Sequence, residues 1–360
     1  MSTLKVNSIE SASGSGVSLE LSSVNGGQLG NRNKVINGAM QVAQRATSVS
    51  SITSGDYYVC DRWKLGYGSA GTWTLSQSTD SPDNFGHSFK MDCTSANTSL
   101  SAGSNLQLIQ FFEGQDLQDI EKGTSTAKEI TVSFYVKTNK TGVYVVELMD
   151  HDNSNRHCSK SYTVSNTNWN RYTLTFPADT TGVLDQDANK SFEIGFWLVA
   201  GSTFQGSSLR ETWGTLSQGS RAVGQVNLAD STSNEWYLTG VQLEIGSVAT
   251  EFEHRSYGDV LAKCQRYYEV HYQSSGTASF YSTGDASMKY AHTWYFHQCK
   301  RAQASVALLG NAVFNTSSGS PLTLTGIFTS KNHCMFYSGS NMFRMLDGSQ
   351  DASVKAEAEL

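Results

Sequence analysis

The chain is short of charge. Of its 360 residues only 16% are Asp, Glu, Lys or Arg, whereas a typical soluble protein has about 25%. Residues that populate helix surfaces are scarce, while serine, threonine and glycine are plentiful and aromatic residues reach 11%. There is enough apolar material for a core, so the composition excludes general disorder. It predicts a mainly β-structure.

Several classes of protein are excluded by what is missing. No run of about 18 apolar residues occurs, so we expect no membrane span. Residues 1–7 lack the charged start and apolar stretch of a secretory leader. With a net charge of −6 and no cluster of Lys and Arg, the chain lacks the basic face on which nucleic-acid binding depends.

The cysteines are far apart and contain no C-x-x-C pair. Without a leader they are expected to be reduced thiols, several of them in the core. A disulfide framework stays open as the alternative, and sequence cannot choose among its roughly 15 full pairings. The six cysteines are Cys60, Cys93, Cys158, Cys264, Cys299 and Cys334.

Residues 1–33 differ from the rest because they contain no aromatic residue. They hold two short alternating strand patterns separated by a Ser/Gly stretch. So small a segment cannot bury an apolar face alone, so it is predicted to dock onto other proteins or its own oligomer. A disordered tail is the alternative. The predicted docking side chains are Leu4, Val6, Ile9, Val17, Leu19 and Leu21.

The strand-like patterns after residue 33 predict an all-β protein with a central jelly-roll β-sandwich over residues 34–256. A linking helix is expected at 257–268, capped by Asp259. A smaller β-domain follows at 269–360, with a last strand running out to Leu360. The predicted strands of the sandwich are 73–76, 106–112, 130–137, 143–149, 172–176, 192–199 and 236–243.

Motifs that carry chemistry are few. The G-x-G-x-x-G match at 66–71 precedes strand-like sequence and not a helix, so it is interpreted as a turn. Asp150 and Asp152 have the spacing of a calcium loop but lack its glycine and its glutamate, so a polar hairpin loop is favoured over a structural calcium site. His292 and His297 lie five apart, on opposite faces of a strand, and cannot share a metal. A carboxylate pair for glycoside cleavage needs no proximity in sequence and stays open.

Two tryptophans in polar surroundings are the remaining candidates. A sugar stacks its apolar face on an exposed aromatic ring while neighbouring Asn, Asp or Arg groups bond its hydroxyls. Trp169 follows Asn168 in a polar turn, and Trp213 lies near Arg210 outside any strand pattern. These four residues are the candidate glycan-binding set. A packing role for each tryptophan is the alternative.

The order of segments resembles a known family. Residues 37–45 (NGAMQVAQR) followed by Asp61-Arg62-Trp63 resemble the opening motif of tail-fibre-like virion proteins of marine tailed bacteriophages. Residues 236–246 and 249–253 are similar to the closing strands of that module, and 261–268 to the helix after it. Residues 1–9 and 357–360 are also similar. The resemblance covers most of 34–268 and only the general style of the last 90 residues.

The resemblance implies a carbohydrate-binding-module-like jelly roll, a homotrimer and a role in host attachment. Arg45, Asp61 and Arg62 are expected to form buried charged bonds at the strand entry, with Trp63 in the core. The predicted function is that of a non-enzymatic virion fibre or spike subunit, assembled in the host cytoplasm and in contact with tail, neck or capsid proteins and host glycan. The alternatives are a capsid-attached fibre or tail connector without receptor binding, and a glycan depolymerase.

Overall fold

The computed structural model describes residues 30–272, 290–309, 313–316, 326–338, 343–346 and 353–360. The predicted docking side chains, from Leu4 to Leu21, lie outside these residues. Between residue 30 and the helix there are eleven strands. They are β1 (Ser48–Ile52), β2 (Lys64–Gly68), β3 (Thr72–Ser78), β4 (Ser88–Ser95), β5 (Asn105–Glu113), β6 (Ile130–Thr138), β7 (Gly142–Asp150), β8 (Arg156–Val164), β9 (Asn170–Phe176), β10 (Lys190–Ala200) and β11 (Glu235–Ile245).

These strands form two antiparallel sheets that pack face to face. The six-stranded sheet has the order β1-β3-β4-β11-β6-β9, and the five-stranded sheet has the order β2-β5-β10-β7-β8. The chain crosses repeatedly from one sheet to the other, as in a jelly roll. The predicted all-β sandwich is therefore confirmed.

The core between the sheets is aromatic. Phe134 of β6 meets Phe196 of β10 edge to face, with ring centroids 5.1 Å apart, and Phe196 also contacts Trp63 and Trp236. All four side chains are buried. Phe134 follows the alternation of inward apolar residues along β6, whereas Phe196 belongs to β10, which is buried along both faces.

A bulge interrupts β11 halfway along. The register with β6 shifts between Thr239 and Gln242, and Gly240 between them has a φ of +62°. A Cβ at Gly240 would lie 2.8 Å from the rings of Phe85 and Tyr135. The bulge therefore requires glycine both for its backbone conformation and for space.

The residues of the opening motif have structural roles, as expected. Asn37 bonds the backbone of Val42 in both directions at 2.8 and 3.0 Å, and a Cβ at Gly38 would meet the carbonyl oxygen of Val241 at 2.1 Å. Asp61, Arg62 and Trp63 are buried. Trp63 Nε1 donates to the carbonyl oxygen of Asn37 at 3.2 Å. The motif therefore closes one end of the sandwich.

The helix α1 (Tyr257–Gln265) follows, but the prediction of its cap is wrong. The N-cap is Ser256, whose Oγ accepts from the backbone N–H of Asp259 at 3.2 Å and donates to the Asp259 carboxylate at 2.6 Å. Asp259 lies in the first turn instead. A serine three residues before an acidic residue matches a capping box, which reverses the roles assigned from sequence.

The described residues after the helix form smaller antiparallel sheets of order β12-β19-β14, β13-β17-β16 and β15-β18. The last strand ends at Glu357 and does not run out to Leu360 as predicted. Beyond it, Glu359 is ion-paired with Arg62, and the backbone oxygen of Leu360 accepts from the Tyr57 hydroxyl at 3.2 Å. The strands are β12 (Tyr268–Tyr272), β13 (Tyr290–Tyr295), β14 (Ser305–Leu309), β15 (Val313–Thr316), β16 (Gly326–Thr329), β17 (His333–Ser338), β18 (Phe343–Leu346) and β19 (Ser353–Glu357).

All six cysteines are free thiols, and five of them are buried while Cys299 is exposed. The prediction of reduced, mostly buried cysteines is therefore confirmed. Residues 66–68 end β2 and residues 69–71 form the turn to β3, so the glycine-rich match lies between two strands, as the following strand-like sequence indicated. Among the described residues, no helix is long and apolar enough to cross a bilayer.

Candidate functional site

Trp169 stands at an open groove on the outside of the six-stranded sheet. The turn between β8 and β9 carries it there, and its half-buried ring is held by a hydrogen bond from Nε1 to Asp80 Oδ1 at 3.0 Å. The groove has a volume of about 410 Å³. The Trp169 groove is lined by Lys137, Thr138, Asn139, Thr167, Asn168, Trp169, Glu235 and Tyr237.

Tyr237 lies in the Trp169 groove between two lysines. It belongs to β11, and its partners across the two neighbouring strands are Lys90 of β4 and Lys137 of β6. Each ammonium lies 5.4 Å from the centre of the Tyr237 ring, close enough for cation–π attraction. Trp169 meets the same ring edge-on at 6.1 Å. The sheet register therefore builds a polar aromatic surface from three adjacent strands.

Each lysine is also paired with a carboxylate. Lys137 Nζ lies 2.5 Å from Asp80 Oδ2, and Lys90 Nζ lies 2.6 Å from Glu235 Oε1. Tyr237 donates its hydroxyl to the other oxygen of Glu235 at 2.8 Å. The two ion pairs fix the polar groups around the ring, so the surface is organised before any ligand arrives.

The pKa values follow from these contacts. Burial acts to raise the pKa of Asp80, but hydrogen bonds from Lys137 and Trp169 outweigh it and hold the pKa below its usual range. For Glu235, burial is likewise outweighed by the hydrogen bonds of Lys90 and Tyr237, which lower the pKa. Burial, with the bond to Glu235, raises the pKa of Tyr237 to about 12. Both carboxylates are therefore ionised at neutral pH and the phenol is not.

Two of the four predicted residues, Asn168 and Trp169, thus share one groove. Sequence reasoning missed its other charged and aromatic members, because they come from distant strands. One signal was available: Glu235 directly precedes the predicted strand 236–243 and is two residues from Tyr237, so the two side chains share one face if the strand begins one residue earlier. Nothing in the sequence paired that strand with Lys90 or Lys137.

The other two predicted residues lie elsewhere. Trp213 packs on the core beside Phe192, at 5.8 Å between ring centroids, and donates Nε1 to the carbonyl oxygen of Pro177 at 2.8 Å. The Arg210 guanidinium lies against Gly214, where an added Cβ would stand 2.3 Å from Nη1. Their segment pairs with β8 through a bridge between Gly214 and His157. These contacts give Trp213 a packing role, which was the alternative.

The candidate calcium loop is the hairpin between β7 and β8, as favoured from sequence. Asp150 is fully buried and ion-paired with Lys122, and its Oδ1 accepts the backbone N–H of Asp152 at 3.0 Å. Asp152 Oδ2 accepts the backbone N–H of Asp185 at 2.9 Å. Both carboxylates therefore have donors from the protein. No group of three or more metal-binding side chains occurs within the described ranges.

No family model matches the chain, and no curated protein matches it in sequence. Among solved structures, the enzymatically active domain of tailspike protein 4 of bacteriophage CBA120 is similar at 13% identity and a TM-score of 0.31, over 59% of this chain and 21% of that one. A CBM4 structure is similar at 15% identity and a TM-score of 0.30, over 58% and 97%.

The family 11 carbohydrate-binding module of the cellulase Lic26A-Cel5E of Clostridium thermocellum is similar at 12% identity and a TM-score of 0.29, over 58% of this chain and 99% of that one. The chain thus spans only about a fifth of the tailspike structure. The sheet topology of the chain itself is the evidence for the sandwich.

Proposed function

We propose that this chain is a non-enzymatic glycan-binding subunit of a virion fibre or spike, acting in host attachment. The observation that carries the glycan part is the Trp169 groove, where an aromatic ring fixed by Asp80 stands beside ion-paired polar groups on an open surface. Sugar recognition uses this combination, because the C–H face of a sugar packs on a ring while its hydroxyls exchange hydrogen bonds with polar side chains.

The virion part is supported by the resemblance of residues 37–63 to the opening of tail-fibre-like proteins. In that assignment the chain forms a homotrimer, and the N-terminal segment of residues 1–33 docks it to tail, neck or capsid proteins. Binding at one open groove is weak, and several copies on one particle strengthen it through effective concentration.

The glycan assignment is tested by a Trp169→Ala variant on an array of bacterial surface glycans. Loss of the stacking ring should weaken binding by about tenfold or more, as for other aromatic anchors. Tyr257→Ala is the control, because Tyr257 is 57% exposed on α1 and lies outside the groove. Equal binding by Trp169→Ala and the wild type would contradict the assignment. Release of oligosaccharides by the purified protein would overturn the non-enzymatic part.

The docking assignment is tested by truncation. Asn33 is buried and its Nδ2 donates to the carbonyl oxygen of Val241 at 3.0 Å, so the truncation should end at residue 29 and spare the sandwich. The truncated protein is expected to form soluble trimers that bind glycan but do not join particles. Normal incorporation would refute docking by this segment and leave the glycan assignment intact.

A further inference from the structure

The charges around Tyr237 are balanced. Two lysines and two carboxylates, Lys90, Lys137, Asp80 and Glu235, form two ion pairs with N–O distances of 2.6 and 2.5 Å. Their formal charges cancel. Lys137, which lines the Trp169 groove, and Lys90, which pairs with the lining residue Glu235, each already have a carboxylate partner, so neither is free to neutralise an incoming anion.

Binding of an acidic sugar in the Trp169 groove would therefore be energetically unfavourable. Its sulfate or carboxylate would have to approach Asp80 and Glu235, which are ionised, and to compete with them for ammonium groups already in contact. Like charges at such distances repel, and breaking an existing pair to form a new one gains little. Lys137 is the one cation among the lining residues of the groove.

A neutral sugar has no charge to be repelled by these carboxylates. A hydroxyl is at once a donor and an acceptor, so it can donate to a carboxylate and accept from the ammonium of the same pair. Adjacent hydroxyls on a pyranose ring present this donor–acceptor pattern side by side. Trp169, oriented by its bond to Asp80, supplies the ring on which the C–H face of that sugar packs.

The geometry points to a neutral hexopyranose with adjacent free hydroxyls as the ligand of the Trp169 groove, and to selection against sulfated sugars and uronates. This inference rests on the proposed glycan binding and adds its ligand class. The ion pairs act as specificity determinants: they bond the hydroxyls of a neutral unit, and they leave no free positive charge for an acidic one.

The test compares polymers that differ only in charge. Dextran, mannan and galactan, each with its sulfated derivative, are titrated against the full chain. At least one neutral polymer should bind, and sulfation of the same backbone should weaken binding by about tenfold. Binding of the neutral form should change little between about 50 mM and about 500 mM salt, because no net charge is neutralised.

Glu235→Gln sharpens the test, because it releases the ammonium of Lys90 from its partner. This variant should gain about fivefold in affinity for the sulfated polymer, the scale of one exposed ion pair. Glu129→Gln is the matched control, since it removes the same charge at the opposite end of β6 on an exposed residue.

The outcomes separate the two proposals. Preferential binding of the sulfated polymers that is lost in Trp169→Ala would overturn the ligand class and keep the glycan function of the groove. Binding of sulfated polymers that survives Trp169→Ala but falls in Lys263→Met would move the site to the pocket lined by Lys34, Arg255, Lys263 and Arg266, and so overturn both. Absence of binding to every polymer and to the glycan array would also overturn both.

Discussion

Lys122 supplies the positive charge and the hydrogen-bond donors for the oxygen atoms of the candidate calcium loop. Its ammonium is buried and ion-paired with Asp150, lies 3.1 Å from Asp179 Oδ2, and donates to the carbonyl oxygens of Thr181 and Gly182 at 3.0 and 2.8 Å. Oxygen donors of this kind are those that a hard cation prefers. The chain itself supplies the positive charge to them.

Lys122→Met is therefore expected to lower the free energy of unfolding by about 3 to 5 kcal/mol, because it leaves the buried carboxylate of Asp150 without its counter-charge. Urea denaturation measures the loss. Lys160→Met is the control, since Lys160 lies on the neighbouring strand β8 and is only partly buried. A loss no larger than in the control would contradict this role, as would a fall in stability of the wild type when a calcium chelator is added.

The same network predicts a pH dependence through Asp179. Burial acts to raise its pKa, but hydrogen bonds from Arg156 and Lys122 hold the pKa below the ordinary value of 3.8. A carboxyl whose pKa is lowered by folding stabilises the protein above the unfolded pKa, and this contribution is lost as the pH falls through the folded pKa. The difference in unfolding free energy between wild type and Asp179→Asn should therefore be largest near neutral pH and shrink below about pH 4. A difference that stays constant to about pH 2 would contradict it.

At the scale of the element, the sequence pattern predicted the strands with clear apolar runs, but it did not predict four other strands of the sandwich. All seven predicted strands of the sandwich exist, whereas β1, β2, β4 and β8 were not predicted. Strand β8 (RHCSKSYTV) carries His157 and Ser159 outward, yet both are buried because the segment around Arg210 and Gly214 covers them. Burial of polar residues by a distant segment leaves no local pattern, so periodicity could not reveal this strand.

The Trp169 groove was half predictable for the same reason. Asn168 and Trp169 are identified by their polar turn, which is a local feature. Tyr237 becomes part of the site only because β11 lies between β4 and β6 in the sheet order. The strand order belongs to the tertiary structure. In the sequence, Lys90, Lys137 and Tyr237 are far apart, and no local pattern shows that their strands are neighbours.

The cap of α1 gives a prediction at this scale. Ser256→Ala should destabilise the protein by about 1 kcal/mol, because it removes the acceptor for the Asp259 N–H. Thermal unfolding measures the change against Ser247→Ala, an exposed serine in the preceding loop. If Asp259 were the N-cap, the serine substitution would have no effect and Asp259→Ala would carry the whole loss.

At the scale of the whole molecule, the last residues of the chain attach the C-terminal sheets to the sandwich. Arg62 is fully buried, is ion-paired with Glu359, and stacks over the ring of Tyr267 at 3.4 Å. Arg45 reaches Glu357 and Glu359 at 3.1 and 3.2 Å. The motif that opens the sandwich therefore also holds the end of the chain.

Glu359→Gln is expected to uncouple the two parts, because Arg62 would stay buried without its counter-charge. Calorimetry should show one unfolding transition for the wild type and two for the variant. Glu251→Gln is the control, since Glu251 is 94% exposed and its nearest pair with Arg171 spans 3.8 Å within the sandwich. A single unshifted transition in Glu359→Gln would contradict the coupling.

Strand β11 connects two opposite ends of the sandwich. Its first residues, Glu235 and Tyr237, contribute to the Trp169 groove, while Leu243, about 20 Å farther along, accepts the backbone N–H of Lys34 where the described chain enters. A particle that holds the entry end and a glycan that holds the groove would pull this strand lengthwise. Because the ladder bonds run perpendicular to the strands, they would resist in shear and share the load together, whereas peeling would break them one at a time.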